Sequence, residues 1–185
     1  MGLPFPQLED EIILLRRWNE GDIAANVAAC RDIDAIRWMP IIPDPYDETD
    51  ALEFFAHAER GWEEGSFYGF AVVERQTDRL VGSIGVSVDG AIGTVGYFVI
   101  AGMRGRGIGA RALRLVSRWA LEELELARLQ LTVMIGNVAS ARLAEKVGFK
   151  REGVLRSWID NRGERADVIM HSLLPGEIDR LSADE

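Results

Sequence analysis

With 185 residues, of which 48% are hydrophobic, the chain is long enough to bury one sizeable core, and its composition excludes a disordered or fibrous protein. The formal net charge of −9 argues against duplex nucleic acid as the main partner, because that partner requires a broad basic surface. We therefore expect a single domain over residues 1–185, with its core at about 11–174.

The cysteine and histidine content and the first residues of the chain restrict its cellular location and the kinds of site that it can form. The single cysteine, Cys30, cannot form an internal disulfide, which fits a reducing, cytoplasmic location. Neither His57 nor His171 has a second histidine or cysteine at ligand spacing, so we expect no metal. The first residues lack the basic start of a secretory signal, and no apolar run approaches the length of a membrane span. We expect no membrane and no nucleic-acid partner.

The amino-terminal half predicts short helices followed by a group of strands. The predicted elements are a strand at 12–15, helices through 25–30 and over 32–38, a helix from an N-cap at Thr49 towards Trp62, and strands at 67–74, 80–88 and 94–100. Turn residues separate the three later strands closely. These three strands should form an antiparallel meander.

The carboxyl-terminal half predicts a helical crossover. A helix of about four turns begins near Ala110 and is followed by a strand at 128–135. A strand, a helix and a strand in this order predict that the two strands are parallel. The remaining elements are a short helix capped by Asn137 and ending at Gly148, a hairpin of 149–159 and 164–174, and a tail expected to fray from Pro175.

A glycine-rich loop, RGRGIG at 104–109, lies between the third strand of the meander and the long helix. Such a loop directs several backbone N–H groups one way, and the helix terminus adds partial positive charge. No acidic residue occurs between Asp89 and Glu122, whereas five arginines do. The loop therefore predicts a phosphate or pyrophosphate site, although Arg111, Arg114 and Arg118 also fit a solvated helix face.

Three phosphate-binding motifs compete for this loop. A P-loop requires Gly-Lys followed by Ser or Thr, but Gly109 is followed by Ala110. A dinucleotide fingerprint follows a first strand and has its third glycine one place later than Gly109. The position after an antiparallel meander argues against that motif too.

The third pattern, Arg/Gln-x-x-Gly-x-Gly/Ala, is met by Arg104, Gly107 and Gly109 and resembles the coenzyme A loop of the GCN5-related N-acetyltransferases. The stretch at 96–174 is similar to the Rim-type branch of that family, which acetylates the N-termini of ribosomal proteins. The matching segments are Gly-Tyr-Phe at 96–98, Gly-Asn-Val-Ala-Ser at 136–140, Glu-Lys-Val-Gly-Phe at 145–149, Arg-Glu-Gly-Val-Leu at 151–155 and Asp-Val at 167–168, with looser matches at 20–22 and 37–40.

The resemblance implies an α/β fold with a mixed, mostly antiparallel sheet, flanking helices and one parallel crossover whose two strands splay apart to admit acetyl-CoA. It also implies that loop amides hold the pyrophosphate, that two arginines supply charge, and that the end of the preceding strand polarises the thioester carbonyl. The implied cofactor-binding residues are Phe98, Val99, Ile100, Arg104, Gly105, Arg106, Gly107, Ile108, Gly109, Ala110, Asn137 and Ser140.

The catalytic residues follow less completely from the resemblance. Ser140 matches the family's acid, which protonates the departing thiolate; the alternative is that Asn137 and Ser140 serve only as a helix cap. Where some relatives carry a carboxylate base, this chain has Ile159 beside Asp160. Asp160 and Glu164 are therefore candidate bases, or solvated hairpin residues, and Asp167 matches the branch but has a possible structural role.

The function implied is direct acetyl transfer from acetyl-CoA to a primary amine, with a protein N-terminal α-amine favoured because its low pKa needs little help from a base. Two alternatives stay open: acetylation of a small molecule such as an antibiotic or polyamine, and a non-catalytic acyl-CoA-binding regulator. The protein is expected to be a monomer or a homodimer. Candidate walls of an acceptor pocket are Trp38, Tyr46, Phe55 and Trp62, although most of them also fit the core. The acidic loop of Asp44, Asp47, Glu48 and Asp50 would suit a cationic acceptor, and it also fits a solvated loop.

Overall fold

The computed structural model describes residues 4–178. The strands are β1 (Leu8–Glu9), β2 (Ile13–Arg16), β3 (Phe67–Glu74), β4 (Leu80–Asp89), β5 (Ile92–Val99), β6 (Arg128–Met134), β7 (Lys150–Asn161) and β8 (Glu164–Leu173). The helices are α1 (Ile23–Cys30), α2 (Ile33–Trp38), α3 (Glu48–Glu64), α4 (Ile108–Glu123) and α5 (Val138–Lys146).

All eight strands join one sheet in the order β1-β2-β3-β4-β5-β6-β8-β7. Every neighbouring pair is antiparallel except β5 and β6, which are parallel and connected through α4. The predicted fold class is confirmed, including the meander, the single parallel crossover and the final hairpin.

Hydrophobic cores form on both faces of the sheet because the inner strands are apolar on both sides. On β3, Phe70 and Val72 pack into the cluster that contains α4, whereas Ala71 and Val73 pack into a second cluster with Phe55 of α3. Strands buried on both faces lose the alternation of a surface strand. The sheet is therefore a rigid middle layer on which the loops of the site are mounted.

Two helix starts lie two residues earlier than the sequence prediction placed them. Thr49 is not the N-cap of α3; the cap is Asp47, whose carboxylate accepts from the amides of Thr49 and Asp50, while Asp50 accepts from the amide of Asp47. This reciprocal capping box explains part of the acidic loop as a helix start. Helix α4 begins at Ile108, two residues before the predicted start, since Gly107 already provides the N-cap.

The tail also departs from expectation over the part that the structure describes. Residues 175–178 form a turn, and Ile178 is 4% exposed within the main core. Burial of a large apolar side chain opposes fraying at this point. The remainder of the predicted tail lies outside the described residues. Over residues 4–178, none of the helices combines the length and apolar character that crossing a membrane requires.

Candidate active site

The sheet contains a fork between β5 and β6. Their parallel pairing covers three residue pairs, from Ile92 with Arg128 to Thr94 with Gln130, and no paired residues follow on the described strands. Beyond these pairs β5 continues to Val99 and β6 to Met134. The loops that follow the two carboxyl ends therefore lie at the open end of the fork, where ligands bind in sheets of this kind.

The glycine loop leaves β5 at this open end. Gly105 and Gly107 have φ values of 75° and 79°, which L side chains rarely adopt. Gly107 is the N-cap of α4, and no side chain caps this helix start. The first intrahelical bond runs from the Arg111 amide to the Gly107 carbonyl, at 3.1 Å. The preceding amides of the first turn are therefore available to an anion.

The third glycine of the loop, Gly109, is required for a different reason, which is close packing. A Cβ on Gly109 would lie 2.6 Å from Leu143 Cδ1 and 3.3 Å from Val99 Cγ2, whereas a Cβ on Gly105 or Gly107 would meet nothing within 4 Å. Gly109 thus lets the start of α4 approach α5 and β5 closely. The two earlier glycines shape an open loop, and the third allows the helix behind it to pack.

The two loop arginines have separate roles. The sequence implied that both would supply charge to the pyrophosphate, but the Arg104 guanidinium pairs with Asp32 and Asp34 of the α2 region, each at 2.6 Å. Arg104 Nε also donates to the Val99 carbonyl at 3.1 Å, an oxygen expected to face the cofactor arm. Arg106 is exposed, and within residues 4–178 it makes no hydrogen bond or ion pair.

The Arg104 pairing explains a shift in acidity. The guanidinium hydrogen bond is the largest influence on Asp32 and holds the pKa of that carboxyl below its ordinary value. Asp32 also caps α2 by accepting from the amides of Asp34 and Ala35. A single charged group therefore fixes the glycine loop against the first residues of α2.

Arg111, on the surface of α4, forms ion pairs with two acidic side chains. Its guanidinium pairs with Asp10 at 2.8 Å and with Glu11 at 2.6 Å, next to the start of β2. Those bonds raise the pKa of Arg111, and they direct its charge to the amino-terminal strands. Arg111 is thus a structural residue of the α4 surface.

Ser140 and Asn137 lie together at the first turn of α5, on the β6 side of the fork. Asn137 Oδ1 accepts from the Ser140 amide at 3.1 Å, so Asn137 is the N-cap that its sequence position suggested. The Ser140 hydroxyl takes no part in that cap. Its Oγ instead lies 2.9 Å from the Tyr97 hydroxyl, which reaches across from β5.

Sequence reasoning missed Tyr97 as a site residue. The tyrosine belonged to the Gly-Tyr-Phe match, but only Phe98 and the residues after it were assigned to the cofactor. The available signal was strand alternation, since Tyr97 shares the face of Val99, which meets α4 and α5, whereas Phe98 packs on the opposite cluster with Cys30 and Ile42. Burial raises the pKa of Tyr97, although the Ser140 hydrogen bond opposes that rise.

Besides the Arg104 ion pairs, two further contacts position α2 and the loop after it. A Cβ on Gly136 would lie 3.5 Å from the Trp38 ring, which places α2 beside the turn between β6 and α5. Arg162, at the tip of the β7–β8 hairpin, donates to the carbonyls of Ile36 and Ile42 at 3.3 and 3.2 Å. Segments distant in the sequence therefore meet here.

The candidate base and the candidate pocket walls have structural duties. Asp160 Oδ1 accepts from the Gly163 amide at 3.0 Å within the hairpin turn, and the role of Asp160 as base stays a prediction. Of the four aromatic candidates, Tyr46, Phe55 and Trp62 are buried in the cores, and Trp38 is half-buried. Across residues 4–178, no cluster of three or more histidine, cysteine or acidic side chains is placed to hold a metal.

A bulge in β7 lies opposite Asp167. The register shifts between Leu155 and Ile159, and Ser157 has a φ of 52°. Asp167 Oδ1 accepts from the Ser157 amide at 2.7 Å, and the bulge leaves Trp158 56% exposed. The match at Asp167 thus has a structural explanation, since its carboxylate holds an unusual backbone turn.

Comparison with known proteins gives a consistent picture. Residues 13–150 match the family described as the acetyltransferase (GNAT) domain. YjcK of Bacillus subtilis (strain 168), named a probable N-acetyltransferase, is 36% identical over 105 residues, which are 55% of this chain and 58% of that protein's length. The matched part therefore covers less than two thirds of this relative.

Two solved structures share the fold. The ribosomal-protein-S5-alanine acetyltransferase of Vibrio fischeri superposes with a TM-score of 0.82 at 20% identity, covering 94% of this chain and 99% of that one. RimJ of Mycobacterium smegmatis, solved with CoA-disulfide, gives a TM-score of 0.82 at 21% identity, covering 92% and 88%. At these identities the likeness is one of fold.

Proposed function

The chain belongs to the acetyltransferase (GNAT) family, and we propose that it transfers the acetyl group of acetyl-CoA to the α-amine at the N-terminus of a protein. The family membership makes the chain an N-acetyltransferase. The cosubstrate of this chain and its acceptor are the proposal. The observation that carries it is the start of α4, which no described side chain caps and which lies at the open end of the fork.

The loop favours acetyl-CoA through its backbone. The first-turn amides of α4, from Ile108 to Ala110, and the positive end of the helix would bind the pyrophosphate, and Arg106 would add a full charge at the exposed rim. Arg104 would contribute only in exchange for its two carboxylate partners. Acetyl-CoA itself supplies an activated acyl group on a thiol.

The reaction also involves two protons, one that the departing sulfur takes and one that the attacking amine loses. Ser140, at the open end of the fork, would donate to the sulfur as it departs. The attacking amine must be neutral, and an α-amino group, with a pKa of about 7.7–8.0, is partly neutral at physiological pH whereas a lysine at about 10.4 is not. This difference favours an N-terminal acceptor, because such an amine needs less help from a base. The two Rim-type structural neighbours support the same choice.

Thiol release measured on the purified protein with acetyl-CoA tests the proposal. The acceptors are peptides with a free N-terminal alanine or serine, the same peptides with a blocked N-terminus and an internal lysine, a polyamine and an aminoglycoside. We expect release with the free peptides, and a mass increase located on the α-amine. Release with the polyamine or aminoglycoside alone would overturn the acceptor, and binding of acetyl-CoA without release on any amine would overturn the transfer.

A further inference from the structure

Tyr97 and Ser140 form a hydrogen bond across the fork. The two hydroxyl oxygens are 2.9 Å apart, and the Tyr97 hydroxyl is also 3.4 Å from the Ser140 carbonyl oxygen. Tyr97 lies on β5 beyond Thr94, the last residue of that strand paired with β6, and Ser140 lies in the first turn of α5. The bond therefore joins the two sides of the fork at its open part, by side chains where the backbones no longer pair.

We propose that Tyr97 is a positioning residue for acetyl transfer, which donates its hydroxyl hydrogen to Ser140 Oγ and so directs the serine hydrogen towards the departing sulfur. This inference rests on the proposed function. A serine hydroxyl has one hydrogen and two acceptor lone pairs. When Tyr97 donates to one lone pair, the hydrogen of Ser140 is free for the sulfur. If Ser140 donated to Tyr97 instead, that hydrogen would be engaged.

The acidities favour a two-residue path for the proton. A thiol has a pKa of about 8.5 and a tyrosine of about 10, so the two are closely matched, whereas an aliphatic hydroxyl is a far weaker acid than either. A thiolate would therefore gain little from Ser140 alone. Coupled to Tyr97, Ser140 can give up its proton and receive another at the same time. Because burial raises the pKa of Tyr97, its hydroxyl is protonated at neutral pH.

The step balances without a further reagent. The carbon–sulfur bond breaks and its electron pair stays on sulfur, which takes the Ser140 proton while Ser140 Oγ takes the Tyr97 proton. The tyrosinate regains a proton from water, and the attacking amine releases one to water. The net change is one acetyl group moved from sulfur to nitrogen and one proton moved to sulfur.

The Ser140 contact is what separates this role from ordinary packing. The Tyr97 ring packs against the main core with Val99 and Leu143. A phenylalanine keeps that ring and removes only the hydroxyl. Tyr68→Phe is the matched control, because Tyr68 is buried on β3 among Trp62 and Trp119 and its loss of a hydroxyl leaves Ser140 untouched.

The test is a double-mutant cycle of Tyr97→Phe and Ser140→Ala on the full chain, with kcat measured on an accepted peptide and the Kd of acetyl-CoA measured by calorimetry. We expect Ser140→Ala to lower kcat about 100-fold and Tyr97→Phe about tenfold, each with Kd within about twofold of the parent. The double variant should be no slower than Ser140→Ala alone, because Tyr97 acts through Ser140. Tyr68→Phe should keep the parental kcat.

Three results would overturn the inference. An unchanged kcat in Tyr97→Phe would show that the hydroxyl is idle, and a further tenfold loss in the double variant would show an effect independent of Ser140. A parent protein that releases no thiol with any amine would overturn the proposed function together with this inference. An active parent with an unaffected Tyr97→Phe would overturn the inference alone.

Discussion

The two sides of the fork are built in opposite ways. The side that we propose for the cofactor, comprising the glycine loop and the start of α4, consists of consecutive residues and presents backbone amides. The side that we propose for the acceptor comprises α2, its following loop and the β7–β8 tip, and there Arg162 bonds the Ile36 carbonyl across 126 residues of sequence. A site built from consecutive residues is little affected by substitutions elsewhere in the chain. A site built from distant segments depends on each of its few contacts. Different substitutions should therefore affect the two substrates separately.

The largest separation is expected from Arg106→Glu. This change places a negative charge beside the loop amides, and the affinity for acetyl-CoA should fall by about 10- to 100-fold, the equivalent of one or more charge-assisted hydrogen bonds. The loss should be greater at low salt, where screening is weaker. Calorimetry at two ionic strengths measures it.

Arg60→Glu is the matched control for that variant. Arg60 is exposed on α3 and its substitution makes the same change in net charge. An equal loss of affinity in both variants would mean that overall charge, and not the loop, governs cofactor binding.

A smaller effect, on the other substrate, is expected from Arg162→Ala. Losing the hydrogen bonds to Ile36 and Ile42 frees the loop after α2, so KM for the peptide should rise about fivefold while the Kd of acetyl-CoA stays unchanged. Arg151→Ala, an exposed arginine of β7 without a bonded partner among residues 4–178, should leave both constants unchanged. If cofactor affinity fell with Arg162→Ala, the two sides would not be separable.

Asp34→Asn examines the ion pair that links the glycine loop to α2. It removes one of the two carboxylates on Arg104, which frees part of that charge for the cofactor, and we expect acetyl-CoA to bind about two- to threefold more tightly. Titration of the variant and the parent with acetyl-CoA measures this. Weaker binding would show that the ion pair holds the loop in its binding conformation.

The smallest effect should come from the closed end of the fork, outside both sides. Arg128, at the start of β6, donates to both oxygens of Glu152, and Ser172 donates to one of them. The Arg128 hydrogen bonds, followed by that of Ser172, lower the pKa of Glu152 from its ordinary 4.5 to about 2. Because the folded pKa is the lower one, this stabilisation is present above pH 4.5 and is lost as the pH falls towards 2.

Glu152→Gln should therefore melt at a slightly lower temperature than the parent at pH 7, and the difference should shrink between pH 4.5 and about 2. Thermal melts over that range check it, with Glu123→Gln on the exposed face of α4 as the control. Kinetic constants should match those of the parent. A difference in Tm that persists at pH 2 would mean that packing, and not charge, is lost.

The same contrast explains how much of the molecule could be predicted. Seven of the eight described strands, the crossover and the glycine loop were predicted because periodicity and turn residues act over short distances, whereas the two-residue β1 was missed. The cap of α3 was placed two residues late because both Asp47 and Thr49 suit an N-cap, and only the reciprocal bonds with Asp50 decide between them.

The side-chain links of the site could not be predicted in this way. The assignment of Arg104 to the cofactor stays a prediction, whereas its ion pairs with Asp32 and Asp34 could not be foreseen, because these residues are about 70 positions away in sequence and only the fold brings them to it. Tyr97 was missed for the same reason, since its partner Ser140 belongs to a helix 43 residues further along. Contacts of this kind depend on how distant elements pack together. The local sequence pattern of one element gives no information about its contacts with another.

The three-pair join between β5 and β6 has a consequence for aggregation. Beyond the three pairs, β5 and β6 each have an edge without a partner strand inside the described sheet. The outer edges of the sheet are at β1 and β7. Unpaired edges attract foreign strands, and the outer ones are blunted here, because β1 has two residues and β7 carries a bulge. The inner edges face each other and are joined at their base. A strand from another protein would have to enter as a single extended chain between them, so the fork can keep free backbone groups without becoming a template for fibres.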